Sequence, residues 1–237
     1  MAVDVARSEV GDNTIIQIYE INNRYTISES NTILKLVLSE PLKGVEYPKQ
    51  AERIRNLLSE FNIIRIMMDS AKGDMLADIL KTGKDINGKD CLPILQLPKY
   101  DEYMEEVTDE YTDVYGVRLI DLINFSTALI HHMGNSVRTY MSKKLVSLPE
   151  IEEKGDEAYL MREEVTLIVA KIGNDSYMKF EIPDELKKKR DNKTGEVQYR
   201  RDRWTTLMLG IEGVSRYIKE KNILTNIQTP DSNLSSF

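Results

Sequence analysis

The chain has 237 residues, a formal net charge of -7, 41% hydrophobic residues and a single cysteine. This hydrophobic content is enough for a real core in one large domain or two small ones. One cysteine excludes a disulfide framework and a cysteine metal cluster, which favours an intracellular setting. No run approaches the roughly 20 apolar residues of a membrane-spanning helix, and the opening residues lack the order of a signal peptide. The acidic balance argues against a protein that coats nucleic acid through bulk charge, but a local basic patch is compatible with it.

The first hundred residues predict three strands followed by alternating helices and strands. The turn signal Gly11-Asp12-Asn13 lies between the first two strands and is typical of a hairpin. The predicted strands are residues 1–6, 14–21, 32–38, 63–68 and 91–97, and the predicted helices are residues 48–62 and 74–81. Pro93 places the last of these strands near a sheet edge or a strand start. This order predicts an α/β fold with a mixed sheet, antiparallel first and parallel afterwards.

Two aspartates stand at strand positions where chemistry is expected. Asp69 directly follows the apolar run 63–68, and the Ser-Ala-Lys-Gly stretch 70–73 predicts a turn after it. In an α/β sheet, ligands and catalytic groups collect at this edge. The alternative for Asp69 is a turn former or a helix cap. Asp4 lies inside the first strand, where a charge is costly unless it is paired or binds a metal; the alternative is an edge strand with Asp4 facing water.

The middle of the chain is less distinctive. Residues 100–116 carry seven acidic residues and no Lys or Arg, which predicts a solvated surface segment or a mobile loop. Apolar spacing predicts a helix over 118–133, a break at Gly134-Asn135, and a further helical stretch to residue 144. A helix is also predicted over 150–173, and alternation predicts a half-buried strand over 177–182. His131 and His132 have no ligand partners at helical spacing and are interpreted as surface or packing residues.

The only dense positive patch precedes the last predicted helix. Its residues are Lys187, Lys188, Lys189, Arg190, Lys193, Arg200, Arg201 and Arg203. The patch is either a solvated loop or a contact for a phosphate backbone. The helix is predicted over 202–221, so Asp202 stands at its N-terminus, where an acid also serves as a cap or a dipole partner. The residues from 223 onward read as a polar tail that frays.

Three segments together carry a resemblance. They are VDVARSEVGDNT at 3–14, IMMDSAKGDMLADIL at 66–80 and RRDRWTTLMLGIEG at 200–213. In this order and spacing the chain resembles the C-terminal nuclease domain of the large terminase subunit of tailed bacteriophages, which belongs to the RNase H-like nucleases. The resemblance implies an RNase H-like domain over residues 1–222, followed by the tail 223–237. In that fold the first strand neighbours the strand after the crossover helix, and the last helix packs beside both.

The resemblance implies that Asp4, Asp69 and Asp202 are catalytic metal ligands. Two divalent cations about 4 Å apart can activate water and stabilise the leaving oxygen in phosphodiester hydrolysis. Aspartate oxygens suit Mg²⁺ or Mn²⁺. Asp12 and Asp74 are assigned as acids just outside the ligand set. Tyr199, Arg200 and Arg201 occupy positions where some relatives carry a histidine, which argues against a histidine-assisted mechanism.

The implied activity is a metal-dependent endonuclease that cuts concatemeric phage DNA during genome packaging in the host cytoplasm. The implied partners are double-stranded DNA, the terminase ATPase domain, the small terminase subunit and the portal. The residues expected to contact DNA are Lys187, Lys188, Lys189, Arg190, Arg200 and Arg201. No GxxxxGK[ST] motif is present, so the chain is not expected to be the motor itself. A first strand that begins almost at Met1 suggests an excised domain.

Two alternatives stay open at this point. One is another RNase H-like nuclease, such as a junction resolvase or a transposase core. The other is a non-catalytic module that docks onto a portal or another partner protein, with the acids serving only as caps.

Overall fold

The computed structural model describes residues 1–6, 13–22, 32–100, 106–108, 115–173, 175–190 and 200–228. The strands are β1 (Ala2–Asp4), β2 (Asn13–Asn22), β3 (Ile33–Lys43), β4 (Ile66–Asp69), β5 (Ile94–Gln96), β6 (Lys99–Tyr100), β7 (Glu106–Thr108), β8 (Val117–Ile123), β9 (Val146–Ser147), β10 (Val169–Ile172) and β11 (Met178–Glu181). The helices are α1 (Tyr47–Glu60), α2 (Ser70–Lys81), α3 (Thr127–Ser142), α4 (Glu157–Leu167), α5 (Asp184–Lys187) and α6 (Asp202–Gln228). None of these helices is both long and apolar enough to span a lipid bilayer.

Seven strands form one mixed sheet in the order β5-β8-β4-β1-β2-β3-β9. β1, β2 and β3 pair antiparallel, whereas β1, β4, β8 and β5 pair parallel. The predicted mixed sheet, antiparallel first and parallel afterwards, is therefore confirmed, and so is the RNase H-like placement of β1 beside β4. The edge-strand alternative for the first strand is wrong, because β1 lies between two partners and Ala2 and Val3 are fully buried.

Helices cover both faces of the sheet. On one face α1 and α2 pack over Val3 and Met68. On the other face α3, α4 and α6 pack over Ala2 and Met67. Successive residues of a strand point to opposite faces, so each short strand contributes to both cores. This two-sided burial explains why β1 and β4 read as nearly continuous apolar runs.

The helix predicted over 118–133 is wrong in its first half. Residues Val117–Ile123 form β8, which lies between β4 and β5, and α3 begins after Ser126, whose Oγ accepts a hydrogen bond from Leu129 N at 3.2 Å. A parallel strand buried on both faces has no strict alternation, so its apolar residues also fit a helical spacing. Asp121 interrupts the apolar run of β8. Its carboxylate forms ion pairs with Arg65, which lies just before β4, and with Arg216 on α6.

Gly134 does not break α3. The helix continues through it to Ser142, and the Phe180 ring of β11 packs directly against the glycine. A Cβ atom at Gly134 would lie 2.0 Å from Phe180 Cε2. Glycine is therefore present for close packing, a reason that a local reading of the sequence does not reveal.

The helix predicted over 150–173 is also only partly right. α4 ends at Leu167, and β10 pairs antiparallel with β11 as a separate two-stranded ribbon. Pairing with a strand that follows in the sequence overrides the helical spacing of Val169 and Ile172, which are exposed. The strand predicted over 177–182 is confirmed as β11.

Two other sequence features lie largely outside the described residues. Gly11 and Asp12 of the turn signal are not among the described residues, and neither are residues 101–105 and 109–114 of the acidic segment. The described part of the acidic segment includes β7, which pairs with β6.

At the C-terminus, α6 continues to Gln228, seven residues beyond the predicted end of the helix at 221. The start of the proposed tail therefore belongs to the helix.

Candidate functional site

The sheet places Asp4 and Asp69 side by side. β1 and β4 are neighbouring parallel strands with Val3 opposite Met68, and each strand ends at the next residue, which is an aspartate. Ala2 and Met67, two residues earlier, both belong to the core under α6. With a strand period of two, both aspartates therefore lie on the α6 side of the sheet.

α6 brings Asp202 to the same edge. Its later residue Arg216 pairs with Asp121 of β8 at 3.1 Å, and Gly213 packs against Met67, where a Cβ atom would lie 2.6 Å from the Met67 side chain. The helix thus lies directly on the sheet, and its first residue, Asp202, lies toward the strand ends that carry Asp4 and Asp69. The sequence-predicted convergence of the three elements at one edge agrees with this arrangement.

Asp4 is the electrostatic centre of this edge. Burial, followed by the negative charges of Asp202 and Asp69, raises the pKa of the Asp4 carboxyl well above its ordinary value, while Lys72 and Arg201 oppose the rise. Two further acids and two cations therefore lie close enough to act on the Asp4 carboxyl. The ionised form of Asp4 is disfavoured here, and an additional positive charge would relieve that cost.

Asp69 also serves as the N-cap of α2. Its Oδ1 accepts a hydrogen bond from Ala71 N at 3.2 Å, and the helix begins at Ser70. The predicted turn over 70–73 is therefore wrong, since these residues form the first turn of the helix. Gly73 is needed for packing, because a Cβ atom there would lie 2.9 Å from Met68 Cβ. The cap alternative for Asp69 is confirmed, and it uses only one carboxylate oxygen.

The donor chemistry of the three aspartates fits a divalent metal ion. Carboxylate oxygens are hard ligands, and the raised pKa of Asp4 marks a place where positive charge is favoured. Within the described part of the chain, however, no three His, Cys, Asp or Glu side chains are arranged so that they could hold a metal ion. Asp202 Oδ2 instead lies 4.0 Å from the Arg200 guanidinium. The three aspartates therefore suit a divalent metal ion by donor type and charge, but they do not form a preorganised three-residue ligand group.

The predicted basic residues have different surroundings. Lys187 is exposed and pairs with Glu181 at 2.7 Å and Asp184 at 2.9 Å. Arg203, from the same sequence patch, is half-buried and forms ion pairs with Glu157 and Glu164 of α4. The exposed residues of the predicted DNA-contact set are Lys187, Lys188, Lys189, Arg190 and Arg201, and Arg200 is half-buried.

Of the two further acids that the sequence suggested, Asp12 lies outside the described residues. Asp74 is exposed on α2, and its role stays a prediction.

Two residues near the site were missed from the sequence. Lys72 follows Asp69 by three residues, and it acts on Asp4 because α2 begins at Ser70 rather than at Asp74. Glu164 is buried on α4 beside the start of α6. A usable signal existed for Glu164, since it shares the inner face of the predicted helix with Met161 and Val165, where a carboxylate needs a partner.

The fold and the site define an α/β protein of RNase H-like topology, with two aspartates at the ends of neighbouring central parallel strands and a third at the start of the last helix. No family model matches the chain, and no curated protein matches its sequence. The chain is similar to a solved structure, the crystal structure of the large terminase nuclease from thermophilic phage G20c. The two chains are 11% identical, the match covers 87% of this chain and 77% of that chain, and the TM-score is 0.49.

Proposed function

We propose that this chain is a metal-dependent DNA endonuclease that hydrolyses phosphodiester bonds. The observation that carries the proposal is the arrangement of Asp4, Asp69 and Asp202, which come from two adjacent parallel strands and the last helix and belong to one edge and one face of the sheet. Their residue type suits Mg²⁺ or Mn²⁺.

The proposed roles follow from the surroundings of each residue. Asp4, Asp69 and Asp202 would hold two ions, which when bound activate a water molecule and neutralise charge on the leaving oxygen. Asp69 is oriented by its bond to the first turn of α2. Lys72 and Arg201 supply positive charge beside Asp4, where a DNA phosphate would also be attracted.

Within this class, we propose the role of a large-terminase nuclease that cuts concatemeric phage DNA during packaging. The support is the order and spacing of the three sequence segments that carry Asp4, Asp69 and Asp202. The partners in this proposal are double-stranded DNA, the terminase ATPase domain, the small terminase subunit and the portal, in the host cytoplasm.

The first experiment is cleavage of supercoiled plasmid in Mn²⁺, Mg²⁺ or EDTA, comparing wild type with Asp69→Asn. Asparagine caps helices about as well as aspartate, so this variant should keep α2 intact. We expect metal-dependent nicking that Asp69→Asn lowers by about 100-fold or more, since a direct ligand should matter more than an outer contact. Asp78→Asn is the matched control, because Asp78 is an exposed residue of the same helix, and this variant should retain full activity.

The alternatives give different outcomes in this assay. Stronger cleavage of branched than of linear DNA would favour a junction resolvase or a transposase core. The docking module is favoured by the cap role of Asp69 and by the lack of a three-residue ligand group among the described residues. It would be supported if wild type cleaves in no metal while Asp4→Asn/Asp69→Asn keeps full thermal stability and portal binding.

A further inference from the structure

Two glutamates of α4 hold the first turn of α6, directly after Asp202. Glu164 Oε1 accepts a hydrogen bond from the Trp204 backbone N–H at 2.8 Å, and Glu164 Oε2 accepts one from the Arg203 guanidinium at 3.4 Å. Glu157, two turns earlier on α4, accepts two more from Arg203 at 2.7 and 3.0 Å. The two residues that follow Asp202 are therefore both attached to α4.

The Trp204 contact replaces an ordinary helix cap. N–H groups in the first turn of a helix have no acceptor within the helix, and the side chain just before the helix usually supplies one. Here the acceptor comes from another helix, and its negative charge also suits the positive end of the α6 dipole. α4 thus fixes where α6 begins.

A gain in folding stability does not by itself explain why a carboxylate occupies position 164 on α4. Glu164 is 6% exposed, and burial raises the pKa of its carboxyl to about 7 despite the Trp204 N–H and the Arg203 charge, which lower it. Burying an acid is costly, and apolar residues often stabilise such positions as well or better. The side-chain oxygens at this position are thus expected to serve a purpose beyond packing.

Asp202 differs from the other two acids in how its position is set. Asp4 and Asp69 end neighbouring hydrogen-bonded strands, so the sheet itself fixes their spacing. Asp202 stands on a separate helix, and any slide or rotation of the first turn of α6 moves it relative to Asp4. The contacts of Glu164 and Glu157 restrain this movement from outside the helix, together with the Arg201 hydrogen bond to Phe180 O and the packing of Trp204 beside the Phe180 ring.

We propose that Glu164 is a positioning residue that directs the Asp202 carboxylate toward Asp4 and Asp69; the proposal rests on the proposed function, in which Asp202 binds metal. Glu164 does not touch the reacting groups in this proposal. It acts through Trp204 N–H and Arg203, and Glu157 supports it by orienting Arg203.

The test compares Glu164→Ala with Glu164→Gln. The amide keeps an acceptor for Trp204 N–H, whereas alanine removes it. We expect Glu164→Ala to weaken Mn²⁺ binding, measured by calorimetric titration, and to lower plasmid cleavage, each by about 10- to 100-fold. Glu164→Gln should retain most of the Mn²⁺ affinity and most of the plasmid cleavage. Trp204 is the only tryptophan in the chain, so its fluorescence should shift to longer wavelength in Glu164→Ala and report the loosened turn directly.

Two controls separate positioning from a general loss of stability. Ile54→Val weakens the core under α1, on the opposite face of the sheet, and should lower thermal stability without changing Mn²⁺ affinity. In an Asp202→Asn background, Glu164→Ala should cause no further loss of Mn²⁺ binding, because the two residues act as one unit. Additive losses in that background, or wild-type Mn²⁺ affinity in Glu164→Ala, would overturn the proposal.

Failure of the proposed function gives a different result. A folded wild-type chain that binds no Mn²⁺ overturns both the metal site and the directing role of Glu164. Hydrogen exchange of the Trp204 amide then shows whether the α4 contact still fixes the start of α6: faster exchange in Glu164→Ala than in Glu164→Gln means that it does, as a purely structural contact.

Discussion

Asp4 shows how the candidate site affects stability at the scale of one residue. Its carboxyl is half-buried at the end of a central strand, and its pKa is raised by burial and by Asp202 and Asp69. A raised pKa in the folded state means that the native chain holds this proton more tightly than the unfolded chain. The associated stability is present below the unfolded pKa and is lost as the pH rises through the folded value.

We therefore expect Asp4→Asn to stabilise the metal-free protein. Asparagine removes the cost of an ionised group beside Asp202 and Asp69, while the cations Lys72 and Arg201 offset only part of that cost. The free energy of unfolding in EDTA should rise near neutral pH and change little near pH ~4. Urea unfolding at the two pH values measures the difference. Added Mn²⁺ should stabilise wild type more than the variant, and a variant that is less stable at both pH values would contradict this account.

At the scale of elements, glycines set how closely helices approach their neighbours. Gly213 allows α6 to lie on Met67 of β4, and Gly73 allows α2 to lie on Met68 of the same strand. Gly134 allows α3 to meet Phe180 of β11. In each case the helix continues through a residue with low helix propensity, because tertiary packing outweighs that local preference.

Gly134→Ala should destabilise the protein although alanine is the better helix former. The new Cβ would lie 2.0 Å from the Phe180 ring, so α3 or β11 must shift. Overpacking of this kind costs roughly 1–3 kcal/mol, more than the gain of about 1 kcal/mol in helix propensity. Thermal unfolding provides the measurement, with Thr139→Ala at an exposed position of α3 as the control that should not destabilise. Equal or higher stability of Gly134→Ala would show that the α3–β11 contact is looser than described.

At the scale of the whole molecule, the densest positive charge of an acidic chain lies in the stretch 187–203. The net charge is -7, yet this stretch includes the exposed residues Lys188 and Lys189 and the two arginines just before α6, Arg200 and Arg201. Lys187 is partly neutralised by Glu181 and Asp184 on the same surface. Such a distribution favours one binding face for a polyanion rather than general adhesion.

Neutralising Lys188 and Lys189 should weaken binding of duplex DNA. The plot of log affinity against log salt concentration should lose about 1 to 2 from its slope, because each phosphate contact contributes roughly 0.9. Fluorescence anisotropy with a labelled duplex in EDTA measures this without cleavage. Lys187→Gln is the matched control and should have a smaller effect, since this lysine already contacts two carboxylates. Unchanged binding in the double variant would remove these lysines from the DNA path.

Much of the fold follows from local patterns in the sequence. Periodicity and β-branched runs correctly predict the order from β1 to β5, because each of those elements has either an amphipathic face or a short buried run bounded by polar residues. Local patterns fail at β8 and β10. A strand buried on both faces has no alternation to distinguish it from a helix, and β10 exists because β11 pairs with it.

The candidate site likewise has some features that are visible in the sequence and others that only the tertiary structure shows. The sequence by itself determined that Asp69 and Asp202 stand at the ends of elements and that Asp4 stands in the first strand, since an acid beside an apolar run is visible locally. Only the tertiary structure decided that Asp4 and Asp69 are neighbours in register, that Lys72 acts on Asp4 and that Glu164 holds the start of α6. Those relations join residues far apart in the chain, and they arise from strand pairing and helix packing, which no local spacing encodes.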